Sequence, residues 1–163
     1  PAPAASAPQT LDVTKAQVQI ASATSTSGSR EQLTAVDGEE LVITTATIDG
    51  REVAGINVRF DLPVAVAADV LDFRVRLVAR TTRTDADSWL RCSLYNPVDE
   101  RFDTVVELPA ATTATTLTFR TSSLRHVTAE KQLRVTVIGD LAAGDRADLR
   151  VDLVEVVVVA RAP

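Results

Sequence analysis

Along most of the chain, hydrophobic and polar residues alternate with a period of two, in short segments separated by glycine, proline and small polar residues. "ELVITTATI" (40–48) is rich in β-branched residues and runs into Asp49-Gly50, a pair suited to the tight turn of a hairpin. In "AGINVRFDLP" that follows, Ile56, Val58, Phe60 and Leu62 share one face and Asn57, Arg59 and Asp61 the other, and Pro63 ends the segment. "DVLDFRVRLVAR" (69–80) sets Leu71, Phe73, Val75 and Leu77 against Asp72, Arg74 and Arg76. "SWLRCSLYNP" (88–97) sends Leu90, Cys92 and Leu94 inward and puts Trp89, Arg91, Ser93 and Tyr95 on the opposite face. "TVVELP", "TTLTFRTSS" and "LRVTVIGD" supply further strands, and "SSLRHVTAEK" reads as a short helical turn or an irregular loop. No segment of ~12 residues carries a clean helical period.

About eight strands joined by polar loops, with no crossover helices, predict an all-β fold: an antiparallel two-sheet β-sandwich. Its core is expected to hold Ile56, Val58, Phe60, Leu71, Phe73, Val75, Leu90, Leu94, Leu117, Phe119, Val135 and Val151. Residues 1–16 read as a Pro/Ala-rich arm or linker and 17–163 as one sandwich domain, since 163 residues suffice for one core. "PAPAASAPQT" lacks the basic and apolar regions of an intact signal peptide. It fits a spacer after a cleaved signal, a start exposed by methionine removal, or a piece of a longer chain.

The closing segment, "DLRVDLVEVVVVARAP" (148–163), breaks the pattern. Leu149, Val151 and Leu153 alternate with Arg150 and Asp152, but then Val154, Val156 and Val158 on one side are joined by Val157 and Val159 on the other. A strand apolar on both faces is covered on both, or it lies at an interface. Residues 1–20, from the same subunit or a neighbour, are the expected cover, because Val13, Ala16, Val18 and Ile20 form another alternating stretch. Val13, Val18, Ile20, Val154, Val156, Val157, Val158 and Val159 are therefore the expected assembly surface.

Charge and chemistry narrow the function. The net charge is −5, which argues against nucleic acid as a partner, and no apolar run reaches the ~18 residues of a membrane helix. One cysteine, Cys92, allows no intrachain disulfide and reads as a buried, inert thiol. One histidine, His126, reads as a surface or loop-packing residue, and no hydrolase elbow or phosphate loop is present. Asp85, Asp87, Asp99, Glu100 and Asp103 read as solvated loop charges rather than a glycosidase pair. An enzyme is not expected, and neither is a cofactor. Calcium is the ion the side chains suit best, with Asp37, Glu39, Asp148 and Asp152 as its candidate oxygen ligands. A small ligand would meet Trp89, Arg91 and Tyr95, together with the turn around Asp99 and Phe102, because this is the only aromatic cluster with polar neighbours. The same face could instead pack against a loop or the other sheet.

"SATSTSGSREQLTAVDGEELVI", "RFDLP", "SLYNPVDERFDTVVELP", "LRVTVIG" and "ADLRVDLVEV" together resemble the galactose-binding-like jelly-roll modules of bacterial extracellular proteins. The resemblance spans residues ~17–158 and is one of strands and turns; Phe102 stands where a tryptophan is usual. It implies a jelly-roll sandwich, an extracellular or cell-surface setting, a structural calcium in many members, and glycan as a partner. Two functions follow. The valine run favours a non-enzymatic, self-associating structural subunit of a surface, filament or virion, held by sheet and arm contacts. The resemblance favours a carbohydrate-binding module of a secreted bacterial protein.

Overall fold

A computed structural model describes residues 4–162 of the chain; residues 1–3 of the expected arm and residue 163 lie outside the described residues. In chain order the strands are β1 (Gln9–Thr10), β2 (Gln17–Ser22), β3 (Ser25–Ser27), β4 (Leu41–Thr44), β5 (Ala46–Ile48), β6 (Arg51–Asp61), β7 (Val70–Thr81), β8 (Trp89–Asn96), β9 (Arg101–Pro109), β10 (Thr115–Thr121), β11 (Gln132–Leu141) and β12 (Asp148–Ala160). They form two antiparallel sheets. One has the order β10-β7-β12-β4-β3, with β1 added to β12; the other has the order β2-β6-β11-β8-β9, with β5 added to β6. The fold is the all-β, two-sheet sandwich that the alternation predicts. Among the described residues no helix is long and apolar enough to cross a membrane.

The core lies between the sheets, where period-two alternation sends every second side chain. Ile56, Val58 and Phe60 of β6 and Leu133, Val135 and Val137 of β11 meet Phe73, Val75 and Leu77 of β7 across it, all buried. Asp49 and Gly50, both at positive φ (49° and 76°), close the β5–β6 hairpin as expected of Asp-Gly. Two residues of the expected core are only half-buried. At Leu71 the β7–β12 ladder slips, pairing Val159 with Asp72 and Ala160 with Val70, so Leu71 is the bulged residue and Val70 turns inward instead. Phe119 lies on β10, at the sheet's edge, and packs edge-on against Phe73 at 6.5 Å.

The segment 40–48 is not one strand but two. The chain leaves the first sheet after β4 and enters the second at β5, turning at the buried Thr45. Thr45 donates to Glu52 Oε1 (2.8 Å), and its hydroxyl and carbonyl accept from Ala147 N and Arg146. The β-branched run carries no mark of this switch, because both halves suit a strand equally.

A second bulge resolves the valine run. Between Val151 and Leu153 the pairing with β7 shifts by one residue at Asp152. Leu149 and Val151 face the core before the bulge; Val154, Val156 and Val158 face it afterwards. Leu153 points the other way, buried beside Thr34. Val154, Val156 and Val158, expected at an assembly joint, are thus core residues, and so is Val13 at 4% exposure. Of the remaining expected interface residues, Val18 packs against the core, Val157 and Val159 are half-buried, and Ile20 is exposed.

The edge of β12 is covered from within the chain. β4 pairs with β12 only as far as Val151. Beyond it the N-terminal segment takes over: Leu11 N donates to Val156 O (2.9 Å), Gln9 and Thr10 pair with Val158 and Val157, and Ser6 N donates to Ala160 O (2.9 Å). Main-chain groups that would otherwise template another chain are consumed here. The cover of this strand's edge thus comes from the same subunit, one of the two sources expected from the sequence.

Deleting residues 1–12 should lower the melting temperature by about 5–10 °C, which corresponds to roughly 2–3 kcal/mol in a domain of this size, and should cause concentration-dependent association through the bared edge. Thermal melts and light scattering check this; an unchanged melt with a monodisperse protein would contradict the edge-cover role.

Candidate functional site

The outward face of the second sheet collects side chains from five strands, and the registers fix which of them are neighbours. One row across the sheet runs Gln17–Arg59–Arg134, and the Tyr95–Phe102 pair continues it. The next is wholly polar: Gln19, Asn57, Thr136, Ser93 and Thr104. A third holds Gly55, Ile138, Arg91 and Glu107, and a fourth Val53, Asp140, Trp89 and Pro109. Each row exists because residues two apart on a strand share a face.

Side chains on this face border a trough. Gln17 and Gln19, on the edge strand β2, line the same hollow of about 120 Å³ as Phe102, on the opposite edge strand β9, with Asn57, Arg59 and Arg134 between them. Five strands set those edges about 19 Å apart in a flat sheet, and the side chains of both edges reach inward over the arginines to border one hollow. In the third row Gly55 is close-packed: an added Cβ would come within 3.2 Å of Val137 O and 3.3 Å of the Ile138 side chain.

The aromatics sit toward the two ends. Trp89 and Tyr95 are six residues apart on β8, roughly 20 Å along the strand. Both are half-buried, and Phe102 is 40% exposed. Tyr95 and Phe102 meet edge-to-face, with centroids 5.4 Å apart, and the Arg134 guanidinium stands 4.8 Å from the Tyr95 ring centroid. At the other end the Trp89 indole N–H donates to Asp87 Oδ1 (3.2 Å). Asp140 binds Arg51 (2.6 Å) and Arg91 (2.5 Å), and Arg91 also pairs with Glu107. Burial pulls the Arg91 guanidinium toward neutrality, but the Glu107 and Asp140 carboxylates outweigh it and raise its pKa. In the middle, Thr136 Oγ1 donates to Asn57 Oδ1 (2.5 Å) and Ser93 meets Thr104 (3.3 Å).

The turn that presents Phe102 is built on buried Asn96. Its Oδ1 accepts from Val98 N (3.0 Å) and Asp99 N (3.3 Å), and its amide donates to Asp99 and Asp103 (3.0 Å each). Asp103 also bonds the buried His126 (3.0 Å) and pairs with Arg101 and Arg125. His126 first, then Asn96 and the arginines, hold the Asp103 carboxyl below its ordinary value of 3.8.

The structure thus brings Trp89, Arg91, Tyr95 and Phe102 onto one face. The Asp99 carboxylate is taken up by Asn96, Arg101 and Arg125 and supports the turn. Asp103, read from sequence as a loop charge, is half-buried on β9. The sequence reading missed Gln17, Gln19, Asn57, Arg59, Arg134 and Thr136 as part of the site. Asn57 and Arg59 were visible as the outward parity of their strand, but nothing in one strand says which others flank it.

Three of the four residues expected to hold calcium, Asp37, Asp148 and Asp152, have other partners; Glu39 is the fourth. Both Asp152 oxygens accept from Gly38 N (3.2 Å), Asp37 caps Glu39 N (2.9 Å), and Asp148 accepts from Thr44 Oγ1 (2.8 Å). Among the described residues no group of three or more His, Cys, Asp or Glu stands together as metal ligands. Cys92 is buried in the core and burial pushes its thiol up to about 12, so it is an inert packing residue.

No family model matches the chain, and neither does any curated protein sequence. Solved structures do. TmCBM61, solved in complex with β-1,4-galactotriose, is similar over 93% of this chain and 91% of its own, with a TM-score of 0.50 and 14% identity. The CBM22-1 xylan-binding domain of Xyn10C from Paenibacillus barcinonensis is similar over 91% and 86%, with a TM-score of 0.52 and 11% identity. The chain has the jelly-roll β-sandwich fold of carbohydrate-binding modules.

The Asp103–His126 bond carries a pH signature. Because the folded carboxyl is depressed, its stabilisation is present above the ordinary aspartate range and is lost as pH falls through the lowered folded value. Asp103→Asn should therefore be less stable than the parent in urea melts at about pH 6, and the difference should shrink toward about pH 2.5. A gap that stays constant over that range would contradict the assignment.

Proposed function

We propose that this chain is a non-enzymatic carbohydrate-binding module, and that a glycan lies in the trough of the second sheet. The observation that carries the reading is one sheet face with a hollow walled by Phe102 beside Tyr95, a second aromatic, Trp89, toward the other end, and an amide- and hydroxyl-bearing row between them. Sugars present apolar ring faces and polar rims, so rings to stack on and fixed donors and acceptors are what such a ligand requires. The spacing of about 20 Å between Trp89 and Tyr95 suits a chain of sugars rather than a single one.

Binding without turnover is supported by the state of the groups that could do chemistry. Asp140 and Glu107, the carboxylates in the trough, are engaged by Arg51 and Arg91, so neither has the apolar surroundings that make a general acid. His126 is buried and bonded to Asp103. A module that reads polysaccharide works where polysaccharide is met, and we assign it to the extracellular space or a cell surface. The structural-subunit reading is set aside, since the edge it needed is occupied by residues 4–11 of the same chain.

Affinity electrophoresis and calorimetry against a panel of plant, microbial and host polysaccharides test this. Tyr95→Ala, Phe102→Ala and Trp89→Ala should each weaken binding about tenfold or more, as truncation of buried aromatic anchors does, with unchanged circular dichroism. Binding that survives all three substitutions would put the site elsewhere.

A further inference from the structure

Arg59 and Arg134 are direct Cα partners across the β6–β11 ladder, with both side chains on the trough face. Two like charges directly opposite one another destabilise a sheet unless something neutralises them. Six other arginines, Arg51, Arg74, Arg80, Arg83, Arg91 and Arg120, lie within 4.0 Å of a carboxylate; Arg76 and Arg146 have no such partner among the described residues, but neither stands directly opposite another arginine. Among the described residues neither Arg59 nor Arg134 has such a partner. Arg59 donates to the neutral Gln17 side chain, and the Arg134 Nε is buried with no hydrogen-bond partner. Asp61, two residues from Arg59 on the same face, accepts from Gln132 instead. The unneutralised pair lines the hollow itself, with Gln17, Gln19, Asn57 and Phe102 around it.

Resting on the reading of the trough as a glycan site, we infer that its ligand is an acidic glycan, and that Arg59 and Arg134 bind an oxyanion carried on one of its sugars. Guanidinium groups present forked donors that match a carboxylate or sulfate in two parallel hydrogen bonds. Tyr95 fixes Arg134 by stacking, Gln17 fixes Arg59, and Phe102 walls the same hollow. The trough is therefore asymmetric. At the Trp89 end the arginines are already paired with Asp140, Asp87 and Glu107, which suits neutral hydroxyls. At the Tyr95 end two cations are free for a charged group. The whole protein carries a net charge of −5, so indiscriminate attraction of polyanions is opposed and a preference for acidic sugars must come from a local site.

The test is binding of uronate polymers (polygalacturonate, alginate, hyaluronate) and of a sulfated one (chondroitin sulfate), each beside its carboxyl-reduced or desulfated counterpart, at low and high salt. At least one acidic polymer should bind tenfold or more tightly than its neutralised counterpart. That advantage should fall as salt rises, and whether uronate or sulfate retains it identifies the oxyanion. Arg59→Gln and Arg134→Gln should each remove the advantage, while Arg76→Gln, which alters another arginine without an ion-pair partner but on the first sheet, should leave it intact. Equal binding of acidic and neutralised polymers would overturn this inference and leave the glycan reading standing. Binding of no polymer at all would overturn both.

Discussion

The ten-residue antiparallel register between β6 and β11 governs the rest of the molecule. Ile56, Val58 and Phe60 stand opposite Val137, Val135 and Leu133 on the inner side, and that apolar ladder is what fixes the register. Its outer side is the consequence: Asn57 must face Thr136, and Arg59 must face Arg134. A slip of one residue would drive Arg59 and Asn57 into the core and their apolar neighbours into solvent. β8 then extends the same rows on one flank and β2 on the other, so the trough is the outward reading of a pattern that the core imposes.

Electrostatics divides that trough. At one end Asp140 sits between Arg51 and Arg91 and leaves little free charge beside Trp89. At the other, the protein spends sheet stability on two opposed guanidiniums in a hollow walled by amides and an aromatic ring. The contrast lies within one sheet and one solvent exposure, so composition does not explain it. The Asn96-centred turn, tied through Asp103 to His126, is the support that keeps Phe102 at the rim of the hollow.

Much of this fold was legible from alternation alone, because a strand with one wet face advertises its period. Ile56, Val58, Phe60, Phe73 and Val75 were readable as core, and Trp89, Arg91 and Tyr95 as one face. What alternation cannot carry is an insertion. The bulge at Asp152 moves the core-facing parity from Leu149 and Val151 to Val154, Val156 and Val158, and the slip at Leu71 exchanges it for Val70. Nor does alternation carry pairing. Gln17, Asn57, Arg59, Arg134 and Phe102 are spread over 118 positions of sequence, and only the strand order β2-β6-β11-β8-β9 gathers them on one face. The valine run was misleading for a related reason: its cover comes from the opposite end of the chain, a long-range pairing that no local pattern announces.

The most direct measurement is an amide-resolved nuclear magnetic resonance titration of the protein with acidic and neutral oligosaccharides. Ligand-induced shifts should concentrate on the rows Gln17–Arg59–Arg134–Tyr95–Phe102 and Gln19–Asn57–Thr136–Ser93–Thr104, extending toward Trp89 as the oligosaccharide lengthens. Shifts confined to β7, β10 and β12, or to the inter-sheet rim near Ile20, would contradict the account at its centre.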